Sequence, residues 1–259
     1  MRYQNKKSVI GGTNSRLVIS KHYGVIVLDF LVTGDPHPCP YLKDREALEE
    51  AFMSENFPPE LYHDFMNHGF RRSGRVFYRP TCEDCNECKS LRIPVTLLEP
   101  NKSQRRVLKK NQDIEVKVKS PRFTADKYRI YAKYIEHQHT KGFQDSADDL
   151  YRFLYTSPIS TIEFEYWLHG RLVAVGIVDK CARSLSSVYT YFDPDFSSRS
   201  LGTFSALHEI RICKEHSIPY YYLGYYISSC PAMNYKARYH PHEVLSPEGT
   251  WVQSFATKP

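Results

Sequence analysis

The feature that most constrains the fold is a strand-forming run between positions 161 and 192. The run reads TIEFEYWLHGRLVAVGIVDKCARSLSSVYTYF, and it predicts three consecutive strands with turns at His169-Gly170 and near Ala182-Arg183. After a Ser/Arg/Gly loop, Leu201–His216 has the periodicity of an amphipathic helix, and PYYYLGYYI predicts a further apolar strand. We therefore predict three antiparallel strands, a helix and another strand as the core of the C-terminal part.

This order of elements matches the central motif of the Gcn5-related acyltransferase (GNAT) fold. It predicts an α+β chain with a GNAT-like C-terminal core and a cysteine-containing N-terminal region packed on it. We place the boundary after residue 100: residues 1–100 form the N-terminal region, and 101–259 form the catalytic domain, which includes a basic segment at 101–119.

The loop before the helix bears on the acyl donor. Acetyl-CoA enzymes of this fold hold the pyrophosphate with an R-x-x-G-x-G/A turn at a helix N-terminus. Arg199 and Gly202 fit that turn, but Phe204 stands where a small residue is needed. The loop therefore favours a donor other than coenzyme A; alternatively, Gly202 only relieves crowding where the helix begins.

Composition excludes several classes of protein. The 259 residues are 41% hydrophobic and 25% charged, which is typical of a globular chain and not of a disordered one. The N-terminus lacks the apolar core of a signal peptide, and no apolar run is long enough for a membrane helix. Seven cysteines and a net charge of +6 favour a reduced, cytoplasmic protein with an anionic partner.

The N-terminal hundred residues predict a mixture of strands and helices. Val25–Leu31 predicts a strand, and GRVFYRP and LRIPVTLL predict two more on either side of a cysteine cluster, in an arrangement that resembles a zinc-knuckle hairpin. A short helix is predicted after Pro58-Pro59. A longer helix is predicted from Asp44, with an apolar face of Leu48, Ala51 and Phe52.

The cysteine cluster has the spacing of a metal site. Cys82, Cys85 and Cys88 are three residues apart, and Cys39, on a proline-rich loop, is the natural fourth thiolate. Four thiolates suit zinc or an iron–sulfur cluster, which spacing alone does not separate. A redox pair and plain structural thiols remain the alternatives.

The segment 101–119 is the strongest basic feature. It carries seven Lys or Arg residues against two acids, and Ser103 is predicted to cap a short helix there. Such a charge density predicts contact with a phosphate backbone, and a solvated charged helix is the alternative. The cations that we expect on this helix are Lys102, Arg105, Arg106, Lys109 and Lys110.

No conventional nucleophile motif is present: the chain has no G-x-S-x-G elbow, P-loop, H-E-x-x-H or dinucleotide fingerprint.

Four segments of the chain resemble the arginyl-/leucyl-tRNA–protein transferase family. They read GFRRSGRVFYRPTCEDCNECKSLRIPV, KSQRRVLKKN, YTYFDPDFSSRSLGTFSALHEI and YYYLGYYISSCPAMNYKARYHPHEVL. The short form with C-x-x-C-x-x-C resembles the bacterial aspartate/glutamate leucyltransferases more than the longer eukaryotic arginyltransferases.

The resemblance implies transfer of an amino acid, leucine rather than arginine, from aminoacyl-tRNA to the N-terminal Asp or Glu of a protein. That transfer marks the protein for degradation in the N-degron pathway. An ester donor is already activated, so the chemistry requires no cofactor. A coenzyme-A-dependent N-acetyltransferase and a non-catalytic tRNA-binding module are the competing interpretations.

Site residues follow from this interpretation. An acidic acceptor calls for a guanidinium, so we expect Arg75, Arg79 or Arg92 to bind it. Asp193 and Asp195 are predicted to bind the donor ammonium or accept a proton, although Asp193 before a proline also suits an Asx turn. The further predicted substrate contacts are Tyr78, Tyr225, Tyr235 and Lys236, with Arg199 on the tRNA.

Overall fold

The computed structural model describes residues 14–21, 24–138 and 145–254, with side chains from Leu31 onwards. Within these ranges the chain has a mixed helix and sheet architecture. The strands are β1 (Asn14–Lys21), β2 (Gly24–Thr33), β3 (His37–Pro38), β4 (Glu46–Ala47), β5 (Glu49–Met53), β6 (Arg71–Ser73), β7 (Val76–Pro80), β8 (Lys89–Pro94), β9 (Ile114–Lys119), β10 (Thr161–Leu168), β11 (Arg171–Cys181), β12 (Ser184–Phe192), β13 (Tyr220–Tyr226), β14 (His242–Leu245) and β15 (Trp251–Ser254). The helices are α1 (Pro59–Asn67), α2 (Lys102–Lys110), α3 (Ala125–Gln138), α4 (Ala147–Leu150), α5 (Leu201–Glu215) and α6 (Pro231–Asn234).

The larger sheet contains the elements predicted for the C-terminal core. Over the described ranges it has eight strands in the order β15-β14-β8-β13-β12-β11-β10-β9. The three predicted strands, the helix and the following strand are confirmed as β10, β11, β12, α5 and β13. The strand β8 lies between β13 and β14, so the predicted N-terminal region contributes a strand to the sheet of the predicted catalytic domain.

The strands β12 and β13 are parallel and separate along their length. They pair where Ser184–Ser186 lies beside Tyr220–Tyr222, and no further pairing follows in this part of the described sheet. Helix α5 covers one face, where Leu207 and Ile210 join a buried apolar cluster. Helix α3 covers the other face through Tyr131. The two core strands therefore no longer pair towards their carboxyl ends, a position where sheets commonly bind a ligand.

The smaller sheet packs on this core. Its five described strands have the order β1-β2-β5-β7-β6. With α1 it encloses an aromatic cluster in which the rings of Phe52 and Phe77 stack with centroids 4.9 Å apart. Burial of large aromatic side chains is the main stabilising term in such a cluster. No helix in the described residues has the length and apolar character needed to cross a membrane.

The predicted helix from Asp44 is wrong. The chain instead forms β4 and β5, and β5 pairs with both β2 and β7. Leu48, Ala51 and Phe52 satisfy a helical spacing, but cross-strand hydrogen bonds on both edges of β5 decide the outcome. Such non-local pairing overrides weak local propensity.

Three finer predictions in this region also need correction. The side chain of Asn101, and not that of Ser103, caps α2: its Oδ1 accepts a hydrogen bond from the Gln104 N–H at 3.0 Å. The strand predicted by LRIPVTLL ends at Pro94 and continues as a 3₁₀ turn. The strands β7 and β8 belong to different sheets, so the cysteines do not lie in a hairpin.

Candidate functional site

A cavity of about 720 Å³ opens between α1, the β7–β8 connection, β13 and the β14–β15 turn. We call it the basic cavity. Its lining includes a single acidic residue among the described ones, Glu248. Such a concave site of one sign concentrates ligands of the opposite charge. The basic side chains that line it are Arg79, Lys89, Arg92 and Arg183, with His63 and His68.

Arg92 is the most constrained cation of the basic cavity. Its guanidinium lies between the rings of Tyr220 and Trp251, 4.0 Å from each centroid, and its Nε lies 2.6 Å from Glu243 Oε2. Its Nη1 donates to Asn67 Oδ1 at 3.0 Å. Stacking between two rings, with hydrogen bonds from two different nitrogens to two different partners, suits a guanidinium and not an ammonium. Arg92 is therefore a fixed positive charge in the wall.

The other two predicted arginines differ from each other. Arg79 lines the basic cavity and is paired with Glu50 at 2.9 Å. Arg75 is exposed, does not line the basic cavity, and pairs with Glu55 at 2.8 Å. The structure thus brings Arg79 and Arg92 together and leaves Arg75 outside.

His63 lies beside these charges as a neutral ring. Burial, with Arg92 and Arg183 nearby, lowers the pKa of His63 to about 4. Its Nδ1 lies 3.0 Å from Ser184 Oγ. A neutral imidazole can donate or accept a hydrogen bond without adding charge to the basic cavity.

Of the predicted tyrosines and Lys236, Tyr225 lines the basic cavity, and Tyr78 and Lys236 contact Tyr225. Tyr225 Oη donates to the Gly69 carbonyl at 2.8 Å, and the rings of Tyr78 and Tyr225 make an edge contact. Lys236 Nζ donates to the Tyr225 carbonyl at 2.6 Å. Burial, and then the neighbouring Arg71, lower the pKa of Lys236 to about 7. Tyr235 is more exposed, beside Lys236.

The predicted aspartates lie elsewhere, beside a separate cavity of about 500 Å³. Asp193 is buried, with Lys133 Nζ 2.8 Å from one oxygen and Arg171 on the other. Burial alone would raise the pKa of Asp193, but Lys133, the Asp195 N–H and Arg171 together lower it. The bond from the Asp195 N–H, at 3.2 Å, is the Asx turn considered from the sequence. The catalytic role of Asp193 and Asp195 stays a prediction.

The basic helix is presented to solvent. All five of its predicted cations are exposed. Lys110 Nζ donates to the Ser198 carbonyl at 2.6 Å, which joins α2 to the loop before α5. Arg199 in that loop binds Asp113 through two bonds of 2.8 and 2.9 Å. A methyl group on Gly202 would lie 3.8 Å from Phe192, an ordinary contact, so relief of crowding does not explain this glycine.

The four predicted cysteines line one small cavity, of about 20 Å³. Burial, with Cys39, Cys82 and Cys85 nearby, raises the pKa of the Cys88 thiol to about 12. In the described residues, no group of three or more His, Cys, Asp or Glu side chains has an arrangement that could hold a metal ion. Four thiols are suitable donors for zinc or an iron–sulfur cluster, but here they are not arranged as ligands around one metal ion. The remaining cysteines, Cys181, Cys213 and Cys230, are buried.

Sequence reasoning missed several cavity residues. Arg183 lies in a hairpin turn and His63 on α1, and neither position carries a motif. Lys89 follows the last cysteine directly, so proximity to that motif could have identified it. Arg71 does not line the basic cavity but lies beside Gly224; it was also missed, although it lies in the GFRRSG segment.

Two family models match most of the chain. The model described as "Arginine-tRNA-protein transferase, N terminus" covers residues 37–106, and "Arginine-tRNA-protein transferase, C terminus" covers residues 126–246. The chain belongs to this transferase family. Among curated relatives of the transferase, "Aspartate/glutamate leucyltransferase" of Pseudomonas paraeruginosa is 40% identical over 222 residues, 84% of this chain and 94% of the relative.

A second relative and a solved structure complete the comparison. "Aspartate/glutamate leucyltransferase" of Marinobacter nauticus is 41% identical to the transferase over 220 residues, 83% of this chain and 92% of the relative. The crystal structure of FemX covers 84% of this chain and 80% of its own, at 8% identity and a TM-score of 0.47. A similarity that distant adds nothing to the assignment.

Proposed function

We propose that this transferase moves leucine from leucyl-tRNA to the N-terminal Asp or Glu of a protein. The observation that carries the proposal is the 40% identity, over 84% of the chain, to a curated aspartate/glutamate leucyltransferase. The basic cavity supports it, because an acidic N-terminus requires an electropositive site. Transfer marks the acceptor for degradation, and because aminoacyl-tRNA is a cytoplasmic substrate, the reaction belongs to the cytoplasm.

The chemistry needs positioning more than activation. The acceptor α-amine attacks the ester carbonyl, and the tRNA 3′ oxygen leaves. An α-amine has a pKa near 8, so a usable fraction is neutral at pH 7. Correct placement of amine and ester supplies several kcal/mol of the barrier. Arg79 and Arg92 set the positive potential in which the acceptor lies.

The donor is proposed to enter where β12 and β13 separate. The GNAT-like interpretation came from the order of the elements, and the separation of two parallel core strands next to a helix supports it. Phe204 supports a donor other than coenzyme A, because its ring packs 5.7 Å from that of Tyr166, where a phosphate-binding turn needs a small residue. The exposed cations of α2 would hold the tRNA backbone.

A metal at the four cysteines is proposed as a structural element without a role in bond making. If bound by Cys39, Cys82, Cys85 and Cys88, zinc or an iron–sulfur cluster would fix the β7–β8 connection beside the basic cavity. Metal and sulfide analysis of anaerobically purified protein should find metal that Cys85→Ser lacks and Cys213→Ala retains. Metal-free wild-type protein would refute this role.

The function is tested by offering an Asp-N-terminal peptide with leucyl-, arginyl- and phenylalanyl-tRNA in parallel. We expect leucine on the peptide, detected by mass, and a ribonuclease-sensitive reaction. Arginine transfer alone would overturn the leucine assignment. Acetylation of the peptide from acetyl-CoA would favour the acetyltransferase alternative, and tRNA binding without transfer would favour the binding-module alternative.

Reversal of two charges on α2 should weaken tRNA binding. In the Arg105→Glu/Arg106→Glu double variant we expect the plot of log affinity against log salt to become less steep. The magnitude of its negative slope should decrease by about 2, since each phosphate contact contributes about 0.9. Filter binding between low and physiological salt measures it. Arg152→Glu, an exposed arginine outside this helix, is the matched control. An unchanged slope in the double variant would dismiss the role of α2.

A further inference from the structure

Two buried cations converge on one small space beside β13. A methyl group placed on Gly224 would lie 3.5 Å from Arg71 Nη2 and 3.7 Å from Lys236 Nζ. Gly224 has a φ of +86° at a register shift between β13 and β8, so a glycine is favoured there. Both charged groups therefore lie next to the position that a side chain on residue 224 would occupy.

Neither cation has an acidic partner in the part of the chain that the structure describes. Arg71 Nη2 donates to the Ser187 carbonyl at 2.6 Å, and its Nη1 contacts Met66 Sδ at 3.7 Å. Lys236 Nζ donates to the Tyr225 carbonyl at 2.6 Å and contacts Met233 Sδ at 3.7 Å. A guanidinium has five N–H donors and an ammonium has three, so donors remain unused on both groups.

This arrangement is costly without a ligand. Each of the two residues is 7% exposed. Buried charges are normally paired, and two like charges in one place raise the cost further. The lowered pKa of Lys236 has the same origin. A bound anion would remove the penalty by pairing with both groups at once.

We propose that Arg71 and Lys236 bind the side-chain carboxylate of the acceptor's N-terminal Asp or Glu. The inference rests on the proposed function and names the contact that gives it specificity. Arg79 and Arg92 are already paired with Glu50 and Glu243. They therefore contribute to the electrostatic potential of the basic cavity without binding the acceptor carboxylate directly.

A carboxylate fits the position better than a tRNA phosphate. The two cations are nearly buried, so the ligand group must be small and carried on a thin stem, unlike a phosphodiester between two riboses. Tyr225, whose carbonyl binds Lys236, also lines the basic cavity. Neither cation lines that cavity itself, so the proposal places the first side chain of the acceptor behind Tyr225 and the following residues in the basic cavity.

The test compares peptides that begin with Asp or Asn, by calorimetric binding and by leucine transfer. Wild type should prefer Asp. In Arg71→Met and Lys236→Met we expect the Asp/Asn ratio of both affinity and kcat/KM to fall about 10-fold or more, as for loss of a hydrogen bond to a charged group. Arg71→Lys should keep part of the preference. Lys180→Met, an exposed lysine on β11 that does not line the basic cavity, should keep all of it.

Each result is decisive. A wild-type ratio in both Met variants, with native circular dichroism, overturns the proposal. Weaker binding of a 5′-phosphorylated CCA trinucleotide with an unchanged Asp/Asn ratio would reassign the site to a phosphate. Wild type that binds Asp selectively but transfers nothing would refute the proposed function alone. If a variant does not fold, acetylation of Lys236 in wild type should be blocked by the Asp peptide and not by the Asn peptide; equal acetylation overturns the proposal.

Discussion

Arg72→Met should lower the free energy of unfolding by about 3–5 kcal/mol, because it leaves Asp179 as an unpaired buried charge. The side chains of Arg72 and Asp179 are both 0% exposed, with Nε 2.8 Å from Oδ2 and Nη2 2.6 Å from Oδ1. Arg72 lies on β6 and Asp179 on β11, so the pair joins the two sheets. Urea unfolding of the purified variant measures the loss.

A double-mutant cycle identifies the origin of that loss. Arg72→Met/Asp179→Leu should be more stable than Arg72→Met, since the stranded charge is gone, although Thr161 Oγ1 loses its bond to Asp179. Arg75→Met is the matched control: its partner Glu55 is exposed, so a change under about 1 kcal/mol is expected. Additive losses in the cycle would show that the pair does not couple the sheets.

Glu209→Gln should remove one large contribution to the pH dependence of stability between acidic and neutral pH. Glu209 is fully buried on α5, where its carboxyl group accepts hydrogen bonds from Ser205 and Tyr221. Burial raises the pKa of Glu209 from 4.5 to about 7. The folded protein thus keeps a proton that the unfolded chain releases between these two values.

The sign follows from this difference in bound protons. Stability from Glu209 is fully present below pH 4.5 and is lost as the pH rises to about 7, by about 3 kcal/mol in total. Urea unfolding at intervals from pH 5 to pH 8 should show the stability of wild type falling by about this amount relative to Glu209→Gln. Buried histidines such as His63, whose pKa is lowered to about 4, change stability in the opposite direction but contribute equally to both proteins. Glu215→Gln, on the exposed end of the same helix, should keep the wild-type profile. A Glu209→Gln profile parallel to that of wild type would exclude this role of Glu209.

The C-terminal core could be predicted because its signals are local. Strand-forming runs, a turn at His169-Gly170 and an amphipathic helix each identify an element without reference to the rest of the chain. The strand β5 could not be recognised in this way, because its state depends on pairing with β2 and β7. Local spacing there was compatible with a helix, and distant strands decided otherwise.

The same distinction applies to the site. Arg79 and Arg92 were identified because they flank the cysteines in sequence. Arg71 and Lys236 are 165 residues apart (236 − 71), and only the fold brings them to the same glycine. Lys236 was predicted as a substrate contact from the segment in which it lies, but its burial has no signal in the sequence. That it lies beside Arg71 without an acidic partner among the described residues became visible only in the structure.

The position of β8 has a consequence for any attempt to separate the N-terminal hundred residues of this chain from the rest. Because β8 is hydrogen-bonded on both edges, to β13 and to β14, the first hundred residues complete the hydrophobic interior of the second part. A fragment that begins at residue 101 would expose the facing edges of two strands, which is a recognised route to aggregation. The two parts of this chain are therefore expected to fold together and not as separate modules.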